Sequence, residues 1–171
     1  TDPHIRHDRV GRLDIERIRF MSDYLPHTGE PGRLRWEHYE HNHETHAWVL
    51  RHPGPDRPWL VCHHGASMGW ALADLAIFRA AWLHHDLGLN LVFPVLPFHG
   101  PSRVRLPITP QLPVEDPVDT IHTFAQSVWD TRRILSWIRT QSDAPIAVHG
   151  ISLGTYSAAL LTALDADLAG L

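Results

Sequence analysis

Ile146-Ala147-Val148-His149-Gly150-Ile151-Ser152-Leu153-Gly154-Thr155-Tyr156-Ser157-Ala158-Ala159-Leu160-Leu161 is the stretch from which the rest of the chain is best read. It opens with a continuous apolar run, which suits a strand buried on both faces. Ala158, Ala159, Leu160, Leu161, Ala163 and Leu164 then read as a buried helix. Between the two stands a serine with glycines at Gly150 and Gly154. Glycine lets a strand and a helix approach closely, while the residue at the apex of so sharp a turn must usually accept a strained backbone. Three such positions arise by chance in roughly 6% of chains of this length, so the weight of the pattern comes from the strand before it and the helix after it.

Trp59-Leu60-Val61-Cys62-His63-His64-Gly65-Ala66-Ser67-Met68-Gly69 is a second buried strand, running into a His-Gly turn. Together the two stretches resemble the α/β-hydrolase superfamily, in which a Gly-x-Ser-x-Gly elbow presents a nucleophilic serine at the top of a sheet. The resemblance covers roughly residues 45–171. It implies that Ser152 is the nucleophile and that the backbone N–H groups of Leu153 and Ala66 form the oxyanion hole. Gly150 and Gly154 are then the elbow glycines, and Gly65 lets the backbone come close to a substrate oxygen. Phe98-His99-Gly100-Pro101-Ser102 is similar in part to the Gly-His-Gly-x-Ser turn many members carry after the fourth strand, with Phe98 where glycine is usual. The implied fold is α/β, a doubly wound, mostly parallel sheet of α/β-hydrolase type. Alternation of strand and helix from residue 59 onward points the same way without the resemblance.

Composition narrows the alternatives. The 171 residues, 43% hydrophobic and 20% charged, suffice for one domain with a sizeable core. Fifteen basic and 19 acidic residues, net charge −4, are mixed along the chain, which argues against a nucleic-acid surface. No run approaches the ~20 apolar residues of a membrane helix. Cys62 is the single cysteine, so an intrachain disulfide is excluded, and its strand setting reads as a small buried hydrophobe. No leader is visible, and the cytoplasm is the simpler expectation, although a chain opening on Thr1 leaves processing undecided. All basic residues are arginine and there are 15 histidines, so a single histidine carries little functional weight.

Along the chain, apolar residues at Val10, Leu13, Ile18, Met21 and Leu25 suggest an amphipathic helix ended by Pro26, with residues 1–32 a helix and linker ahead of a hydrolase-type unit at 33–171. Residues 34–40 and 45–50 read as a strand hairpin around Asn42-His43. His38, His41, His43 and His46 could share a metal ion, but their spacing matches no recognised site, and solvated strand and turn positions are the plainer account. Residues 71–87 read as a helix closed by Gly88, and 89–97 as a strand in which Pro94 needs no ladder donor. The proline-rich stretch 101–117 could wall a pocket with Leu106, Ile108 and Leu112. Asp116-Pro117 opens a long helix to about Thr140, with a core stripe at Ile121, Phe124, Val128, Leu135 and Ile138. Asp130, Arg132 and Arg133 on that helix read as a solvated face.

The superfamily's triad runs serine, acid, histidine in chain order. Only 19 residues follow Ser152. None is histidine, and Asp165 and Asp167 come too early. The fold is therefore expected to be incomplete at its C-terminus, with the triad acid and histidine on a missing C-terminal half or a complementing chain. The expected activity is hydrolysis of a carboxylic ester or related acyl compound through an acyl-enzyme at Ser152, with no metal or organic cofactor. A non-catalytic binding or scaffold protein on the same fold is the main alternative, and a histidine-rich metal binder the weaker one.

Overall fold

The computed structural model describes residues 3–102 and 116–171. Six strands are formed among these residues: β1 (His4–Val10), β2 (Leu13–Met21), β3 (Glu44–Leu50), β4 (Trp59–His63), β5 (Asn90–Pro94) and β6 (Ile146–Gly150). They make one sheet in the order β1-β2-β3-β5-β4-β6. β5, β4 and β6 run parallel, whereas β1, β2 and β3 join through antiparallel pairings. The sheet is therefore mixed rather than mostly parallel, because the first three strands meander before the strand-helix alternation begins. Beyond β6, Gly170 bridges to Ala147 in parallel, with Ala169 N–H donating to Ile146 O at 2.7 Å and Val148 N–H to Gly170 O at 2.9 Å.

The helix expected over 10–25 is absent. Gly11 at φ +60° makes a two-residue turn between Val10 and Leu13, and β1 and β2 close on each other as a hairpin. Leu13 and Ile15 pack on one face of the sheet and Ile18 and Phe20 on the other. A strand that buries opposite faces at its two ends loses its simple alternation and mimics helical spacing. Residues 34–40 also depart from expectation, forming α1 (Arg33–Glu37) and a 3-10 turn (Glu40–Asn42) in place of a strand. Trp36 dictates this: it is buried, and its Nε1–H donates to Gln126 Oε1 at 3.0 Å.

α2 (Ala71–Ile77) is shorter than the expected helix. It breaks at Arg79, φ +54°, and the chain resumes as a π-helical turn (Trp82–Asp86) before Gly88 at φ +70°. α3 (Pro117–Arg139) starts as expected, with the Asp116 carboxylate accepting from the N–H groups of Val118 (2.9 Å) and Asp119 (3.4 Å). α4 (Leu153–Leu164) follows β6. The sheet is covered on both faces. Val49, Val61, Val92 and Val148 meet Leu135 and Ile138 of α3 and Ala158 and Leu161 of α4, while Trp48, Cys62, Leu91 and Phe93 meet Leu75 and Phe78 on the α2 side. No helix among the described residues is long and apolar enough to cross a membrane.

The first half of α3 departs from its expected apolar stripe. Ile121 is exposed and Phe124 half-buried, and the inward face is His122, Thr123, Gln126, Ser127 and Asp130. Asp130 is not on a solvated face. It is buried, accepts from Ser22 Oγ–H at 2.6 Å and Gln126 Nε2–H at 3.3 Å, and burial pushes its carboxyl up to about 6.

Candidate functional site

β4 and β6 lie side by side in register, with His63 opposite Gly150, so the loop after β4 and the turn after β6 leave the same sheet edge together. β5 is parallel to both, and its exit segment, 95–102, emerges at that edge as well. The carboxyl ends of parallel strands are where open α/β sheets place their ligands.

Backbone contacts set the two connections against each other. Ile151 N–H donates to His63 O at 3.1 Å. A Cβ built on Gly154 would lie 2.5 Å from His63 C and 2.6 Å from His64 O, and nearer still to His63 O. One built on Gly150 would lie 2.5 Å from Gly154 O. Both glycines are thus fixed by steric need. Ser152, between them, sits at φ +53°, ψ −117°, a conformation that side chains rarely adopt. It is exposed, and its side chain does not cap α4.

The loop after β4 folds over at Gly65-Ala66-Ser67-Met68, with Met68 N–H donating to Gly65 O at 3.3 Å and Ser67 at φ +65°, as a type II turn requires. Ala66 and Ser67 are exposed. Gly65 differs from the other two glycines. A Cβ there would be 3.4 Å from Ile151 O and 3.5 Å from Ser152 Cβ, an ordinary contact, and would point towards the serine. Gly65→Ala should therefore fold with its urea midpoint little changed, while any reaction at Ser152 slows at least about tenfold because the methyl crowds the serine. A large stability loss with the rate unchanged would contradict this.

Phe98, where glycine is usual in the resembling families, takes φ +65° itself. Its N–H donates to Asn42 Oδ1 at 2.9 Å, and its ring packs edge-on against Trp36 and Tyr39 at 5.6 and 5.0 Å. Aromatic packing and one buried hydrogen bond hold a backbone conformation that glycine adopts without help. Leu106, Ile108 and Leu112, the expected pocket wall, lie outside the described residues.

His63, His64 and His99, at the same end of the sheet, are buried. His63 is fully buried, with Nε2 near Thr131 Oγ1 at 3.5 Å, and burial pushes its ring down to about 4. His64 has both ring nitrogens against backbone groups, and burial followed by neighbouring His99 pushes it down to about 3. His99 is fully buried. Asp165 is paired with Arg139 at 2.8 and 3.0 Å, which holds its carboxyl below the usual range. His38, His41, His43 and His46 are not gathered either: His38 Nδ1 bonds to Leu34 O, His41 packs on Tyr39, and His46 pairs with Glu44. Among the described residues no three His, Cys, Asp or Glu side chains come together as a metal site would need.

The sequence pointed to Ser152, Ala66 and the glycines but not to the contacts that three residues around them make. Tyr156, on the first turns of α4, is exposed and packs on Phe124 of α3 at 4.5 Å. Asp74 is buried under the loop, its carboxylate accepting from Gly69 N–H at 3.0 Å and Trp48 Nε1–H at 3.1 Å, and burial pushes it up to about 6. His64 is the third.

Solved structures with the same architecture include an acetyl xylan esterase from Paenibacillus sp. R4, with TM-score 0.62, 19% identity, and coverage of 97% of this chain and 51% of that one. A cold-adapted esterase from an Arctic intertidal metagenomic library matches with TM-score 0.61 and 16% identity over 98% of this chain and 63% of its own. Acetyl xylan esterase 1 from Thermoanaerobacterium sp. JW/SL YS485 gives 0.57 and 17% over 98% and 51%. The chain shares its fold with these esterases. In sequence it is 50% identical over 170 residues to an uncharacterised Mycobacterium tuberculosis protein, found in strains H37Rv and CDC 1551. That match takes in 99% of this chain and 41% of the relative, so the chain spans about two-fifths of the relative's length. No family model matches the chain.

Proposed function

We propose that these residues carry the nucleophile and oxyanion-binding part of a serine hydrolase acting on a carboxylic ester or related acyl compound. In this reading Ser152 Oγ attacks the acyl carbonyl, and the Leu153 and Ala66 N–H groups receive the oxyanion. The carbonyl π-bond electrons move to oxygen, the serine proton passes to a base, and as the tetrahedral species collapses the base returns that proton to the leaving oxygen, so that the alcohol departs and an acyl-serine remains. Water then releases the acid. The base and the carboxylate that orients it come from polypeptide outside the described residues, which agrees with the greater length of the relatives. No metal or cofactor takes part.

The observation that carries the proposal is Ser152 at φ +53°, exposed between two glycines that cannot be replaced without backbone clash. Strain of this kind is retained where function needs it. The fold shared with acetyl xylan esterases adds support and makes a small acetyl ester the first substrate to try. The test is reaction of the intact protein with a fluorophosphonate, followed by peptide mapping. One equivalent should attach at Ser152, with Ser67, Ser102 and Ser157 unmodified. An intact protein whose Ser152 is accessible but unreactive would favour the binding-protein alternative.

A further inference from the structure

We infer that His64 is a positioning residue which, as a neutral Nδ1–H imidazole, fixes the direction of the Ala66 N–H by holding the carbonyl of the same peptide unit. The inference rests on the reading of Ser152 and Ala66 given above and adds a residue to it. Leu96 N–H lies 3.0 Å from His64 Nε2 and can only donate, so Nε2 is the acceptor and carries no proton. In the neutral ring the proton is then on Nδ1, which lies 2.8 Å from Gly65 O and donates to it.

Gly65 C=O and Ala66 N–H belong to one planar trans peptide, in which the two bonds point in opposite directions. A carbonyl held by a fully buried ring therefore sends its N–H away from that ring, towards the exposed side of the loop where Ala66 and Ser67 lie. Ser152 lies beside this peptide, since a Cβ on Gly65 would approach Ser152 Cβ to 3.5 Å, and Ser152 is exposed like Ala66 and Ser67. The hydrogen bond also polarises the peptide and makes its N–H a better donor. Met68 N–H gives Gly65 O a second, longer bond at 3.3 Å. At the far end of the loop, Asp74 holds Gly69 N–H at 3.0 Å, so the turn is pinned on both sides by buried side chains. A ring with both nitrogens committed serves geometry rather than proton transfer.

Two substitutions separate the ring's two bonds. His64→Asn places an amide N–H near the Nδ1 position and keeps a donor for Gly65 O, but leaves Leu96 N–H unpaired. His64→Gln reaches the Nε2 position with an acceptor for Leu96 N–H and gives up the donor to Gly65. In the intact protein His64→Asn should be the less stable in urea yet label at Ser152 within about threefold of wild type. His64→Gln should be the more stable yet label at least about tenfold more slowly, its loss appearing in kcat rather than KM. Rates that follow stability would mean His64 is merely structural and would overturn the inference. Nitrogen-15 spectra of the wild type supply a check without variants: a ring protonated on Nε2, or on both nitrogens, at neutral pH also overturns it. A wild type that does not label removes the hydrolase reading and this inference with it, whereas a labelled wild type with an equally fast His64→Gln variant removes the inference alone.

Discussion

Ser152→Gly is expected to give a protein that is more stable than wild type and inert. At φ +53°, ψ −117° the serine occupies a region that costs a side chain about 1–3 kcal/mol, while glycine, free of a Cβ, enters the mirror-image region readily. Against the relief stands the extra freedom of glycine in the unfolded chain, roughly 0.5–1 kcal/mol. The hydroxyl makes no cap, so its loss removes no helix-terminal hydrogen bond. The balance of the two runs from about 0 to 2.5 kcal/mol, with a midpoint near 1 kcal/mol, or a few degrees in melting temperature for a chain of this size. Activity should move the other way, by on the order of 10⁴-fold or more, as when a nucleophile is removed from a hydrolase triad. Urea titration and ester turnover on the same preparation check both halves. Turnover that survives the substitution would rule out Ser152 as the nucleophile, and a stability lowered by the full glycine penalty would mean the turn stores no strain.

Gly154→Ala is expected to reverse the usual sign for a helix. Within α4 the exchange should gain about 1 kcal/mol from helix propensity. Here the new methyl meets His63 C at 2.5 Å and His64 O at 2.6 Å, atoms of a strand end that cannot move without disturbing its pairing with β6. A loss of about 3 kcal/mol or more follows. Gly170→Ala, where nothing lies within 4 Å of the added Cβ, is the control and should change little. If Gly154→Ala melts with the control, the close approach of turn and loop is not the constraint argued above.

The parts legible in the sequence were those in which one local signal suffices. Val148 and Val61 sit in strands with apolar residues on both faces, Asp116-Pro117 starts a helix by capping and fixed φ, and Gly150, Ser152 and Gly154 mark a turn wherever they occur between a strand and a helix. The parts misread were settled by tertiary contacts. Ile15 and Ile18 serve opposite faces of one strand, so their spacing resembled a helix. Residues 33–37 become helical around Trp36, whose partner Gln126 is 90 residues away. Asp130 looked solvated because nothing near it in sequence announces Ser22 as its hydrogen-bond donor. The candidate site divides the same way. Its serine and glycines were visible, whereas the role of His64 depends on Leu96, which only the sheet brings near.

The contact of Gly154 with the end of β4 has a wider meaning for how this protein can change over evolutionary time. The serine turn is located by main-chain atoms bearing on main-chain atoms, so its offset from the neighbouring loop is independent of which aliphatic side chains fill the interior. Substitutions among the valines and leucines beneath can accumulate, and shift melting behaviour, without moving the serine. Sequence drift in the interior is thereby uncoupled from the alignment of the site, and a lineage of such chains could diverge widely while leaving this one corner unaltered.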